Sequence, residues 1–189
     1  MTSRAPWLAV VDMQNVFADP GSPWFTPRFA ETVEPVRRLV EALAPRVTFT
    51  RFVAPDVPSG AWVAYYEQWP FALEPPGSPL YRIVDAFAAQ AGPTVDAVTF
   101  GKWTPALAAA VGDRPLVLAG VSTDCCVLST ALAAADAGVE VHVAADACAG
   151  VDDDAHRRAL DVMRLYGPLI RVVTLDDVIG ALAAPEGGR

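Results

Sequence analysis

Three positions in this 189-residue chain pair reactive side chains with places where a sheet could bring them together. Asp12 ends the apolar run Trp7–Val11, Lys102 follows Ala97–Phe100 after one glycine, and Cys125-Cys126 follows Leu116–Ala119 and opens an alanine-rich stretch. Lys102 is also the only lysine among fourteen basic side chains. Arginine keeps its proton at neutral pH, whereas lysine shifts readily on burial, so a single retained lysine invites a chemical explanation. A cysteine at a helix N-terminus feels the positive end of the macrodipole, and a nearby ammonium further stabilises thiolate, the reactive form. An aspartate within reach accepts the thiol proton and later returns it to a leaving nitrogen. Backbone N–H groups in the turn Gly120-Val121-Ser122-Thr123 and at the helix start would hold a developing oxyanion. Together the three positions describe a metal-free, cysteine-based acyl-transfer site. Singly, each has a plainer use, since an acid caps turns and a cysteine in a helix is a small buried hydrophobe.

The elements that must position these residues alternate between β-like and helical runs. Strands are expected at Trp7–Val11, Val47–Phe52, Ala97–Phe100, Leu116–Ala119, Val139–Ala144 and Leu169–Val173. Helices are expected at Thr32–Leu43, Leu80–Ala89, Pro105–Val111, Asp124–Ala137, Asp153–Tyr166 and Leu175–Ala183. This alternation predicts an α/β fold, a three-layer α/β/α sandwich around a mostly parallel six-stranded sheet, in which ligands bind at the carboxyl ends of strands. No Gly-x-Gly-x-x-Gly follows the first strand, which sets aside a dinucleotide-binding reading. Two segments, Phe17–Pro27 and Ala54–Pro79, are rich in proline and glycine and hold Trp24, Trp62, Tyr65, Tyr66 and Trp69. Long irregular segments are often functional, so these aromatics either wall a substrate pocket or pack beneath loops or at a subunit interface. Arg51 and Arg82 are candidates for binding a carboxylate, although solvated surface roles are commoner for arginine.

Composition narrows the partner. A net charge of −8 gives no broad basic footprint for nucleic acid or anionic lipid, and no apolar run approaches the roughly 18 residues of a spanning helix. The expectation is a soluble, cytoplasmic, single-domain protein of residues 1–189 acting on a small molecule, with no signal peptide and a frayed tail at 184–189. Three cysteines, two of them adjacent, make a poor disulfide framework, so reduced thiols are expected. A strained Cys125–Cys126 disulfide as a redox switch is conceivable.

The segments Val10-Val11-Asp12-Met13-Gln14-Asn15-Val16-Phe17, Phe100-Gly101-Lys102 and Gly120-Val121-Ser122-Thr123-Asp124-Cys125-Cys126-Val127, with Thr130-Ala131, resemble the isochorismatase-like cysteine hydrolases. That family includes nicotinamidases, N-carbamoylsarcosine amidases, maleamate amidases and isochorismatases, and the resemblance spans nearly the whole chain. Its Thr-Asp-x-Cys-Val signature aligns Cys126 with the nucleophile and Cys125 with the variable position. The resemblance implies a triad of Asp12, Lys102 and Cys126, a cis peptide at Val121-Ser122, an oxyanion hole formed with the Cys126 N–H, and a homo-oligomer, dimer or tetramer. There are departures. His142 and His156 are the only histidines and do not follow the Asp-x-His metal motif of the nicotinamidase branch, so no metal or other cofactor is expected and nicotinamide is disfavoured. Trp103-Thr104-Pro105 replaces a Ser-Ala-Phe segment common in relatives, and Ser122 stands where alanine is common.

The function expected is hydrolysis of a C–N bond in a small amide, N-carbamoyl or cyclic amide substrate through a thioester. Phe17, Trp24, Trp62, Tyr65, Trp69 and Trp103 are the candidate substrate-binding residues, suited to a flat or partly apolar substrate; Phe17 and Trp24 equally suit the core. Two alternatives stand beside this one. One is vinyl ether cleavage by Asp12 without the thiol, of the isochorismatase type; the other is a catalytically silent binding or scaffold protein.

Overall fold

Strands that pair in parallel within a sheet are buried on both faces and need helices on each side. The computed structural model, which describes residues 4–183, has that arrangement. Strands β1 (Trp7–Val11), β2 (Val47–Phe52), β3 (Val95–Ala97), β4 (Leu116–Val121), β5 (Val141–Ala149) and β6 (Ile170–Val173) form one six-stranded sheet. Their order is β3-β2-β1-β4-β5-β6 and every pair is parallel. The helices are α1 (Asn15–Ala18), α2 (Phe29–Leu43), α3 (Ala61–Gln68), α4 (Pro105–Val111), α5 (Leu128–Asp136), α6 (Asp153–Arg164) and α7 (Leu175–Ala183).

Period-two alternation sends successive strand side chains to opposite layers. Leu8, Val10, Val117 and Ala119 join the core under α2 and α7, with Leu39 and Val178. Ala9, Val11, Leu116 and Leu118 join the other core with Leu107 of α4, Ala131 of α5 and Met163 of α6. The chain runs outward from β1 through β2 to β3, then crosses back to β4 on the far side of β1. This reversal of strand order opens a crevice at the carboxyl ends of β1 and β4. Gly120 lets these two strands meet there: its φ is +111°, and a Cβ on it would lie 2.1 Å from the Val11 carbonyl oxygen.

Four expectations require correction. The run Leu80–Ala89 is not a helix; it contains two 3₁₀ turns, Pro79–Tyr81 and Asp85–Phe87. The chain between them extends beside residues 13–15, with Val84 N–H donating to the Met13 carbonyl and Asn15 N–H to that of Arg82, so tertiary pairing overrides local propensity. The third strand covers Val95–Ala97 rather than Ala97–Phe100, because residues 98–104 leave the sheet to carry Lys102 across to α5. Ala61–Gln68, read as irregular, is helical and places Trp62, Tyr65 and Tyr66 at spacings of three and four. The expected helix Asp124–Ala137 begins instead with a π turn, Thr123–Val127, before α5. The tail expected to fray, 184–189, lies outside the described residues.

Candidate active site

Asp12 is the residue immediately after β1, and its φ of 50° places it in the left-handed region, which aspartate tolerates better than most side chains. This conformation sits beneath the β1–β4 crevice, where Asp12 is fully buried. One carboxylate oxygen, Oδ1, accepts a 2.9 Å hydrogen bond from Thr50 Oγ1 at the end of β2. The other, Oδ2, lies 3.0 Å from Lys102 Nζ, yet that approach is off the hydrogen-bonding direction and no other donor reaches it. A close ion pair thus coexists with an acceptor oxygen lacking a well-aimed donor.

Lys102 is as buried as Asp12. Its ammonium donates to the Thr99 carbonyl at 2.8 Å and sits 4.9 Å from the centroid of the Phe52 ring, within cation–π range. The backbone beneath it is fastened to the cysteine turn through one hydroxyl. Lys102 N–H donates to Thr130 Oγ1 at 2.9 Å, and Thr130 Oγ1 donates to the Cys126 carbonyl at 2.6 Å. Thr130 therefore holds the lysine segment and the cysteine segment in register.

Cys126 lies in the π turn between β4 and α5 and is 3% exposed, whereas Cys125 is half-buried. The hydrogen bond shared with Cys125, together with complete burial, pushes the Cys126 thiol well above the usual range, with the Lys102 charge pulling it back. The same hydrogen bond lowers Cys125. Burial and this bond thus favour the thiol form of Cys126 over the thiolate, against the pull of Lys102. Ser122 Oγ donates to Asp124 Oδ1 at 2.6 Å, and Asp124 Oδ1 also accepts from Val151 N–H at 2.9 Å, which ties the turn to the loop before α6. The close approach needs Gly150, where a Cβ would lie 2.7 Å from the same oxygen. The Val121–Ser122 peptide is cis.

Cys125, Cys126 and Ser122 line a cavity of about 210 Å³ together with Phe17, Trp24, Tyr65 and Trp69. Four of the six aromatic candidates therefore face it. Trp62 and Trp103 do not line it: Trp62 packs against Tyr65, Tyr66 and Phe100, and Trp103 packs against the core that holds Leu107 and Ala131. Phe52 and Phe100 do line it, although composition alone did not single them out. Gln14 was likewise passed over. It is fully buried, donates through Nε2 to the Phe52 and Tyr81 carbonyls at 2.9 and 2.8 Å, and accepts from Phe52 N–H at 2.8 Å, which anchors one cavity wall to β1. A polar residue three places after a strand end was the available signal. Arg51 is engaged with Asp96 and the Pro76 carbonyl rather than offered to a ligand.

The histidines are occupied elsewhere. His142 pairs with Glu140 at 2.9 Å, and His156 Nδ1 lies 2.9 Å from Thr123 Oγ1. Among the described residues, no group of three histidine, cysteine or acidic side chains is placed to hold a metal ion. The donor set therefore does not fit the metal of the nicotinamidase branch.

Comparison with known proteins matches residues 6–177 to the family described as Isochorismatase domain. Isochorismatase domain-containing protein 2 of Xenopus laevis is 42% identical over 57 residues, 30% of this chain and 28% of that protein, so the match spans just over a quarter of that relative. The fold resembles a cysteine hydrolase from Pseudomonas syringae pv. phaseolicola 1448A at a TM-score of 0.82 and 22% identity, covering 94% of this chain and 92% of that one. It also resembles an N-carbamoylsarcosine amidase from Thermoplasma acidophilum at 0.70 and 23%, covering 90% and 96%.

Proposed function

The chain belongs to the isochorismatase family, and we propose that it is a cysteine-dependent hydrolase of a C–N bond in a small amide, N-carbamoyl or cyclic amide substrate. The observation that carries this reading is the buried Asp12–Lys102 pair, with Asp12 Oδ2 lacking an aimed donor, behind a cavity onto which Cys126 opens. Cys126 Sγ attacks the substrate carbonyl carbon as its proton passes to Asp12. The tetrahedral oxyanion collapses, the C–N bond breaks, and Asp12 protonates the leaving nitrogen, leaving a thioester on Cys126. Water then attacks the thioester, with Asp12 taking its proton and returning it to the departing Sγ. Lys102 holds the Asp12 carboxylate in place and favours thiolate as it forms. Backbone N–H groups of the cysteine turn, that of Cys126 first, stabilise the oxyanion.

Product release across a panel of small amides, N-carbamoyl compounds and lactams tests this reading, with ammonia or ring opening as the readout. Wild-type protein should turn over at least one member with or without a chelator, and Cys126→Ala should be inactive while keeping its thermal transition. Undiminished turnover in Cys126→Ala would overturn the mechanism, and pyruvate release from isochorismate by that variant would establish vinyl ether cleavage by Asp12 instead.

A further inference from the structure

We infer that Thr50 is a positioning residue that gives the two oxygens of Asp12 different tasks, holding Oδ1 so that Oδ2 takes and returns the proton; the inference rests on the hydrolase reading above. A carboxylate presents two like oxygens, and the reaction needs one of them kept open and aimed. The backbone leaves Asp12 little freedom to choose. Its φ of 50° and the 2.7 Å bond from Gln14 N–H to its carbonyl fix the turn after β1, so the torsion that spins the carboxylate about its own bond is what remains. That torsion is broad and roughly two-fold, and a half-turn exchanges Oδ1 with Oδ2. Thr50 removes it. Phe49 lies opposite Val10 in the parallel register, which puts Thr50 one step further along β2, level with the end of β1. Thr50 is fully buried, pairs with Val95 of β3 on its other side, and carries a β-branched side chain that is stiff about χ1. Its Oγ1 donates to Oδ1 at 2.9 Å, a direction settled because an ionised carboxylate only accepts. Thr50 is not one of the residues that line the cavity, so it acts through Asp12 rather than on a substrate.

The division of tasks follows from what each oxygen already does. Oδ1 accepts from Thr50, while Oδ2 lies 3.0 Å from Lys102 Nζ without an aimed donor, so the open acceptor direction belongs to Oδ2. When Cys126 reacts, its S–H bond breaks, an Oδ2–H bond forms, and the electron pair stays on sulfur. Oδ1 then becomes the carbonyl oxygen of a carboxylic acid, which still accepts from Thr50. A proton arriving on Oδ1 would force the Thr50 hydroxyl to reverse and find another acceptor. The hydroxyl therefore fits Asp12 before and after transfer when the proton rides on Oδ2, and from there the proton passes to the leaving nitrogen with no rearrangement at Thr50.

The test compares Thr50→Val, which keeps the branched shape, with Thr50→Ser, which keeps the hydroxyl. Alkylation of Cys126 by iodoacetamide at one near-neutral pH, followed by peptide mapping, reports proton removal without any need for a substrate; kcat and KM are then read on an amide that the wild type turns over. Thr50→Val should slow Cys126 alkylation by about fivefold or more and lower kcat by about 10–100-fold with KM within about twofold, because a charge-assisted bond is lost. Thr50→Ser should recover most of both losses. Should Thr50→Val fail to fold, Thr50→Ala provides the same comparison. A threonine with a merely structural role would lower Tm without moving the alkylation rate or kcat, and that result, like equal losses in Thr50→Ser, would overturn the inference. Thr50-dependent alkylation in a protein that turns over no amide would instead defeat the hydrolase reading and leave the positioning role standing.

Discussion

Among the described residues, Asp12 is the only non-glycine residue with a positive φ, and it is also fully buried with an oxygen that no donor satisfies well. Each of these features costs stability, and their meeting in one side chain is what a functional constraint looks like. Asp12→Asn should therefore lower kcat by about 10²–10⁴-fold, the range for loss of a general base, as measured by steady-state kinetics. It also strands the Lys102 ammonium in the interior, and chemical denaturation should show a loss of about 3–5 kcal/mol. At Cys126, the bond with Cys125 and burial raise the thiol above the ordinary value of about 8.5. Alkylation by iodoacetamide, followed by peptide mapping, should accelerate as pH rises from about 7 to 10 without reaching a plateau. A plateau near neutral pH would mean a preformed thiolate. The three candidate residues stand out in the sequence because their types are rare and their places special: the one lysine, an acid ending an apolar run, a cysteine opening a helix. Thr50, Gln14 and Thr130 do not, because threonine and glutamine are common and their value here lies in partners distant in sequence, such as Asp12, Phe52 and Lys102.

At the scale of elements, the crevice depends on how closely β1 and β4 approach. A methyl on Gly120 would overlap the Val11 carbonyl at 2.1 Å, and the left-handed φ adds its own penalty. Gly120→Ala should cost more than about 4 kcal/mol or abolish folding, which circular dichroism and denaturant titration would show. The link between the lysine and cysteine segments is gentler. Thr130→Val keeps the volume but removes the hydroxyl between Lys102 N–H and the Cys126 carbonyl, so kcat should fall by about tenfold or more, with KM less affected. Strands with a clear apolar run, β1 and β4, were readable from sequence because burial on both faces imposes that run, and β2 was readable from its β-branched and aromatic residues. The misread elements share a different cause. Residues 80–89 are alanine- and leucine-bearing, yet backbone pairing with residues 13–15 holds residues 82–84 extended between two 3₁₀ turns, and Ala61–Gln68 hides its helix among prolines and glycines on either side.

The whole molecule brings these elements to one edge of the sheet while leaving a net charge of −8 over the chain. Its acid response should be set in part by His156, which joins α6 to the cysteine turn. Burial, with the charge of Arg28, holds this histidine below its ordinary value of about 6.5. The folded state takes up this proton less readily than the unfolded chain, so its contribution is full above about pH 6.5 and is lost as pH falls below that value. His156→Gln should accordingly show a smaller drop in Tm than wild type between about pH 7 and pH 5. The fold class was legible in one sequence, and Phe17, Trp24, Tyr65 and Trp69 stood out there as candidates to line a pocket, whereas Phe52 and Phe100 did not, since their place in the cavity depends on segments that meet only in the folded chain. The most direct measurement is rapid-quench intact-mass analysis during turnover of a substrate amide, followed by peptide mapping. An acyl adduct on Cys126 that forms and decays at rates consistent with kcat, and is missing in Cys126→Ala, is the expected result; turnover that proceeds equally in that variant with no adduct at any time would contradict it.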